Sequence, residues 1–291
     1  MTEPAPTTLS RLLLRSAREH GPRVFLPRRR AGDASPVTFG ELLTDVDALA
    51  VALLDAGIAR GDRVGVIAEN RYEWLLVDQA LASIGAISVP RGSDTAPREL
   101  EFILRHSGCR MVFADDEKVA KELLGLRASL PGLERVAVMQ DATKLGDAHT
   151  LGDLLRAGTA AAAAKTRTLA AARDRVTADD LLTIVYTSGT TADPKGVMLT
   201  HANVLSNVRA VTDVLAIEPT DTFLSVLPAW HMYERIMDYL ALATGASLVY
   251  TDRRRIKEDL ANVRPTVFAA VPRIWEMLHD GLVGHAAKLA G

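Results

Sequence analysis

Short runs of apolar and β-branched residues alternate with stretches of helical period between residues 63 and 139, and this alternation constrains the fold more than any other feature. Residues 63–68 carry Val64, Val66 and Ile67 and read as a strand. A helix over 72–83 follows, then Gly85 and a strand over 86–89 closed by Pro90. A helix over 97–106, a strand over 110–114 and another over 135–139 complete the run. Strands separated by helices of about ten residues predict βαβ units and a parallel sheet covered on both faces. Ahead of them, residues 9–17 read as a helix with Leu12, Leu13 and Leu14 partly buried. Thr38-Phe39-Gly40-Glu41 fits a capping box, since the Thr hydroxyl and Glu carboxylate satisfy free N–H groups at a helix start. Leu42, Val46, Leu49 and Leu53 then form one helical stripe, with Gly57 placed to end it.

Residues 151–180 change character, with alanines at 160–164, interspersed Lys and Arg, and few bulky apolar groups. Alanine favours helix but buries little, so the segment reads as a surface helix or connector. The expected division is therefore an α/β subdomain over 1–150, a connector over 151–180 and a second α/β subdomain over 181–291. In the last part Thr200 is placed as an N-cap for a helix striped by Val204, Val208, Val211 and Leu215. His201 reads as a capping or packing residue. Strands are expected over 223–227, 246–250 and 265–271, and helices over 236–244 and from Pro272, where Arg273 and Glu276 are spaced to pair. With 291 residues, 48% of them hydrophobic, the chain can bury a substantial core.

Charge and cysteine content exclude several classes. A net charge of -2 provides no basic field, so nucleic acid is not an expected partner. The single cysteine, Cys109, rules out an internal disulfide, reads as a buried small side chain and suits a reducing cytoplasm. The first ten residues lack the basic-then-apolar layout of a secretory signal, and no apolar run reaches the roughly 18 residues that span a bilayer. Arg28-Arg29-Arg30 could make peripheral contact with anionic lipid, although a short basic cluster beside Pro and Gly usually reads as solvated loop.

Chemistry concentrates at Tyr186-Thr187-Ser188-Gly189-Thr190-Thr191-Ala192-Asp193-Pro194-Lys195-Gly196, between the apolar run 181–185 and a returning strand at 197–200. Such a loop has almost nothing to bury. Its glycines allow backbone N–H groups to approach phosphate oxygens, its hydroxyls add hydrogen bonds or a magnesium ligand, and Lys195 adds a mobile cation. An ordinary Gly/Ser/Thr turn fits the same composition. The spacing is not that of a Walker A loop, because Gly196 follows Lys195, and no G-x-G-x-x-G follows any strand.

From Tyr186 to His201 the sequence resembles, nearly residue for residue, the phosphate-loop signature of the adenylate-forming superfamily: acyl-CoA synthetases, luciferases and peptide-synthetase adenylation domains. Gly61-Asp62-Arg63-Val64, Ala68-Glu69-Asn70 and Trp74 are similar to that family's N-terminal subdomain, with Asn70 and Trp74 read as capping and packing a helix. The resemblance implies an α/β fold with layered αβαβα sheets, incomplete here. It implies ATP, Mg2+ and CoA as cofactor and substrates, with Thr187, Ser188, Gly189, Thr190, Thr191, Lys195 and Gly196 around the phosphates and Thr187 as the magnesium ligand. The family usually has glycine where this chain has Ala192; if that position needs positive φ, alanine costs about 1 kcal/mol there.

The stretch Pro228-Ala229-Trp230-His231-Met232-Tyr233-Glu234-Arg235 follows a predicted strand, where open α/β sheets place ligands. It resembles a segment of the long-chain fatty acyl-CoA synthetase branch, as does Pro272-Arg273-Ile274-Trp275-Glu276. The resemblance puts His231 near the acyl and adenylate groups, as a catalytic and substrate-binding residue, and Trp230 on the wall of an acyl channel. It covers only the first part of the family's length, so the chain is expected to be a fragment of a ligase that forms acyl-AMP and then acyl-CoA. A non-catalytic nucleotide-binding remnant, an aryl-CoA ligase and an amino-acid adenylation domain are the other readings.

Overall fold

The computed structural model describes residues 5–27, 35–140, 145–146, 148–187 and 193–289. In chain order the elements are α1 (Leu9–His20), β1 (Val24–Leu26), β2 (Val37–Thr38), α2 (Phe39–Asp55), β3 (Arg63–Ile67), α3 (Tyr72–Ile84), β4 (Ile87–Arg91), α4 (Pro97–Ser107), β5 (Cys109–Ala114) and α5 (Glu117–Leu126). Then come β6 (Arg135–Val138), β7 (His149–Thr150), α6 (Leu151–Arg175), β8 (Leu181–Thr187), β9 (Lys195–Thr200), α7 (His201–Thr212), β10 (Thr222–Ser225), α8 (Met232–Thr244), β11 (Ser247–Tyr250), α9 (Ile256–Val263), β12 (Val267–Phe268) and α10 (Pro272–Leu289).

Seven strands form one sheet in the order β7-β6-β5-β3-β4-β8-β9, parallel except for the antiparallel β8–β9 hairpin. Three more, β11-β10-β12, form a second parallel sheet, and β1 and β2 make a small antiparallel pair. The alternation of side chains along each strand sorts the core into layers. Val64 and Val66, Met111 and Phe113, and Ala137 project from one face of the large sheet. They join a cluster with residues of α1, α2, α3, α6, α7 and α8, and with Phe223, Leu248 and Tyr250 of the small sheet. From the opposite face Ile67, Val112, Ala114, Val136 and Val138 meet α4 and α5. Beyond the small sheet, Val226 and Leu227 pack with Ile256 of α9 and Ile274 of α10. The result is the expected helix–sheet–helix–sheet–helix stack.

Local signals set the helix ends. Thr38 and Glu41 form the predicted capping box, and Thr200 caps α7 with Asn203 as its reciprocal partner. Gly85, Gly108 and Gly245 take left-handed φ at the ends of α3, α4 and α8, where a side chain would be strained. His201 is wholly buried and its Nδ1 accepts from the Leu9 backbone N–H, 3.1 Å away and 192 positions earlier, which ties α7 to the start of α1.

Several expectations are corrected. Residues 151–175 form the expected surface helix rather than a connector, most of it exposed, but one face of α6 packs closely on α2: a Cβ at Gly158 would lie 1.8 Å from the Ala48 carbonyl oxygen. Small residues there let two helices approach backbone to backbone. β8 and β9, beyond position 180, complete the sheet begun by β3. Leu14 is 37% exposed, and Leu215 falls past the end of α7 and is 48% exposed. β12 spans only two residues of the predicted seven. Pro90 lies inside β4 rather than after it, which the sheet tolerates because β4 pairs with β8 only at Ser88↔Thr183. Arg273 and Glu276 form no ion pair among the described residues.

Candidate functional site

An open cleft of about 1280 Å3 lies at the C-terminal ends of the strands of both sheets. Glu69, Asn70 and Arg71 enter it from the turn after β3, Asp94 from beyond β4 and Asp115 from beyond β5. From the small sheet come Val226 to Pro228 after β10, and Thr251 and Asp252 after β11. Order reverses about β3 in the large sheet, since β4 lies on one side and β5 on the other. A crevice at such a reversal is where parallel sheets hold ligands, because adjacent loops diverge there.

Trp230 and His231 form part of the cleft wall, their ring centroids 4.0 Å apart. His231 is also the N-cap position of α8, although its side chain makes no cap hydrogen bond. Burial first, and then the Arg91 guanidinium, push the His231 imidazole below its ordinary pKa, so it is neutral at neutral pH. The loop under this wall is held from across the cleft by Asn70. Its Nδ2 donates to the Leu227 carbonyl (2.6 Å) and the Ser225 hydroxyl (3.2 Å), and its Oδ1 accepts from the Ala229 N–H (2.7 Å). Asn70 therefore clamps the loop after β10 and does not cap α3, whose N-cap is Arg71. Trp74 packs as expected, 1% exposed.

The hairpin presents a different set of groups. Thr187 ends β8 opposite Lys195, which begins β9, and both are exposed. Ser188, Gly189, Thr190 and Thr191 lie outside the described residues, as do Ala192 and Arg28 to Arg30. Gly196 pairs with Tyr186, and a Cβ there would stand 3.2 Å from the Tyr186 ring, so packing alone calls for glycine. Neither Thr187 nor Lys195 lines the cleft. Among the described residues no cluster of His, Cys, Asp and Glu is arranged to hold a metal ion.

Beneath the cleft wall lies a polar network in a dry setting. Arg235 is 0% exposed, and its guanidinium bonds to Asp78, to Tyr239 Oη (2.6 Å), to Ser88 Oγ (2.8 Å) and to Thr183 Oγ1 (2.8 Å). Tyr239 donates to the second Asp78 oxygen at 2.5 Å. Next to Arg235 in α8, Glu234 accepts from the Leu227 N–H at 3.0 Å, and burial pushes its carboxyl up to about 7. Burial, with Glu234 alongside, holds Asp238 well above the carboxylate range, and Tyr250 donates to it at 3.2 Å. Sequence reading took Glu234-Arg235 as a family marker and passed over Asp78. The available signal was an Asp inside α3, a helix apolar on every side, where a buried charge requires a partner.

The cleft and hairpin, set on this stack of sheets, define a class that the comparisons name. Residues 13–290 match the model of the AMP-binding enzyme family, and the chain belongs to that family. It is 32% identical over 268 residues to long chain acyl-CoA synthetase 7, peroxisomal, of Arabidopsis thaliana, covering 89% of this chain and 37% of that protein. It is 30% identical to the chloroplastic long-chain-fatty-acid–[acyl-carrier-protein] ligase AEE15 of the same plant, covering 92% and 38%. The chain thus spans well under half the length of these curated relatives. Among solved structures, the inhibitor-bound N-terminal domain of FACL13 from Mycobacterium tuberculosis superposes with a TM-score of 0.76 at 24% identity, covering 93% of this chain and 64% of that one. No described helix is long and apolar enough to cross a membrane.

Proposed function

We propose that the protein to which this chain contributes is an ATP-dependent ligase that joins a fatty acid to AMP and then passes the acyl group to a thiol, with CoA as the acceptor. The observation that carries this reading is the Trp230–His231 wall on a large cleft lined by both apolar and charged side chains, at the reversal point of the sheet. Val226, Leu227, Trp230 and Val271 offer apolar wall for an alkyl chain. Neutral His231 can hydrogen-bond a carboxylate or adenylate oxygen without neutralising it, so the acid stays nucleophilic.

Thr187, Ser188, Gly189, Thr190, Thr191, Lys195 and Gly196 would hold the β- and γ-phosphates. Lys195 supplies charge where it accumulates as the α-phosphate is attacked. Magnesium would arrive with the nucleotide. Thr187 fits as one oxygen ligand, the rest coming from phosphate and water, which suits an ion that gives up water reluctantly. Placement in the cytoplasm rests on the single cysteine, which forms no internal disulfide; burial pushes the Cys109 thiol up to about 12 and leaves it inert.

A carrier-protein thiol is the second reading for the acceptor, supported by the name of the chloroplastic relative. The test begins with calorimetric titration of MgATP into the chain. Saturable binding that is lost in Lys195→Ala is expected; no binding, or binding indifferent to Lys195, refutes the phosphate site. Acid-dependent ATP–pyrophosphate exchange by the protein containing this chain, across fatty, aryl and amino acids, then fixes the substrate. Product analysis with CoA and with holo-carrier protein decides the acceptor.

A further inference from the structure

The cleft and the hairpin share no lining residue, yet one side chain touches both. Arg91 closes β4 with its side chain 12% exposed. Nη1 donates to the Tyr186 carbonyl at 3.1 Å, one residue before Thr187 and the loop. The guanidinium carbon stands 5.3 Å from the centroid of the Trp230 ring, within cation–π range. Nη2 bonds to Glu99 in the first turn of α4. Three elements therefore converge on one planar fork.

The sheet explains why a side chain is needed there. β4 and β8 pair only at Ser88↔Thr183. Three residues further along each strand stand Arg91 and Tyr186, where a regular ladder would continue and here does not. The guanidinium takes the carbonyl that the neighbouring strand no longer reaches. Tyr186 is held from its other end too, since its Oη lies 2.7 Å from His106 Nδ1. Trp230 in turn comes so close to the chain after Arg91 that a Cβ at Gly92 would stand 3.0 Å from its Nε1. A lysine would keep the charge but lose the fork and the flat face that meets the indole.

We propose that Arg91 is a positioning residue that fixes the phosphate hairpin relative to the Trp230–His231 wall, so that each end of the reacting pair is set by the other. The inference rests on the reading of the hairpin as the triphosphate site. A scaffold role alone would lower stability without linking the two places; a positioning role links them.

The experiment compares the chain with Arg91→Lys and Arg91→Met, each alone and combined with Trp230→Ala. Amide hydrogen exchange reads residues 184–187 and 228–231, and calorimetry reads MgATP. Arg91→Met should speed exchange in both segments by about tenfold while leaving α2 and α6 unchanged, with Arg91→Lys intermediate. It should weaken MgATP binding about tenfold. Trp230→Ala should weaken MgATP several-fold with Arg91 present and not at all with Met at 91. Unchanged exchange at either segment, or the same Trp230→Ala effect in both backgrounds, overturns the proposal. If Arg91→Met does not fold, Arg91→Lys carries both comparisons. If the unaltered chain binds no MgATP, the triphosphate reading falls, and the exchange data alone decide whether Arg91 ties the two segments.

Discussion

Replacing Arg235 by methionine removes a cation with no exposed surface and leaves its four partners in place. Three of them keep other bonds or lose little. Thr183 Oγ1 still donates to the Ser88 carbonyl at 2.9 Å, Ser88 Oγ still reaches the Leu182 carbonyl at 3.4 Å, and Tyr239 still donates to Asp78. The loss concentrates on Asp78, a carboxylate 0% exposed that keeps one neutral donor where it had a donor and a cation. Breaking a buried pair in this way costs about 3–5 kcal/mol, a large share of the roughly 5–15 kcal/mol that holds a domain together. Arg235→Met should therefore shift the urea midpoint sharply downward with little change in slope. Removing both charges, as Asp78→Leu with Arg235→Met, should cost less than the sum of the two single changes by about 2 kcal/mol, because no orphan charge remains. A loss below about 1 kcal/mol in Arg235→Met, or strict additivity in the double variant, would show that the pair does not behave as a desolvated unit.

Two buried groups give stability opposing pH slopes. Glu234, pushed up to about 7 from 4.5, holds its proton more tightly when folded, so its contribution is full below pH 4.5 and is lost as pH rises through 7. His201, lowered by burial to about 4 from 6.5, contributes fully above pH 6.5 and loses that contribution as pH falls toward 4. Each is worth about 3 kcal/mol across its window, so in urea midpoints taken from pH 4 to 8 Glu234→Gln should shrink the alkaline fall, leaving the part carried by the buried Asp238, and His201→Asn should shrink the acid one. Gly158→Ala, which elsewhere in a helix would stabilise, should instead cost about 1–3 kcal/mol in thermal melts because its methyl meets the Ala48 carbonyl. Asn70→Ala should speed amide exchange across residues 225–231 while moving global stability by about 1–2 kcal/mol; equal protection in both proteins would rule out the clamp.

Legibility in the sequence followed the distance over which each feature is determined. The caps at Thr38 and Thr200 and the glycine stop at Gly57 depend on neighbours within four residues, and all three were readable. A parallel sheet covered on both faces was readable from strands alternating with short helices, whereas the stacking of a second sheet was implied only by the family resemblance. The role of Asn70 was not readable, since its partners lie 155 to 159 positions away. Nor was the burial of Arg235, whose anionic partner is 157 positions away. The alanine-rich α6 was legible as a surface helix, but its close approach to α2 was not, for a related reason. Small side chains bury little area, but they permit a close approach whose other half, Ala48, is invisible from the segment itself. Trp230 and His231 were marked by their position after a strand, which needs no partner, but their roles came only from the family resemblance; the structure sets both on the cleft wall.

The bond from the Leu9 amide to His201 also bears on synthesis. A ribosome adds roughly 5–20 residues per second, so roughly 10–40 s separate the emergence of these two ends of one contact. Until His201 arrives, α1 can lay its apolar stripe on α2 and α3, which emerge soon after it, but the partner of its first amide is missing. The amino-terminal helix therefore docks early and is pinned late, once α7 has been made.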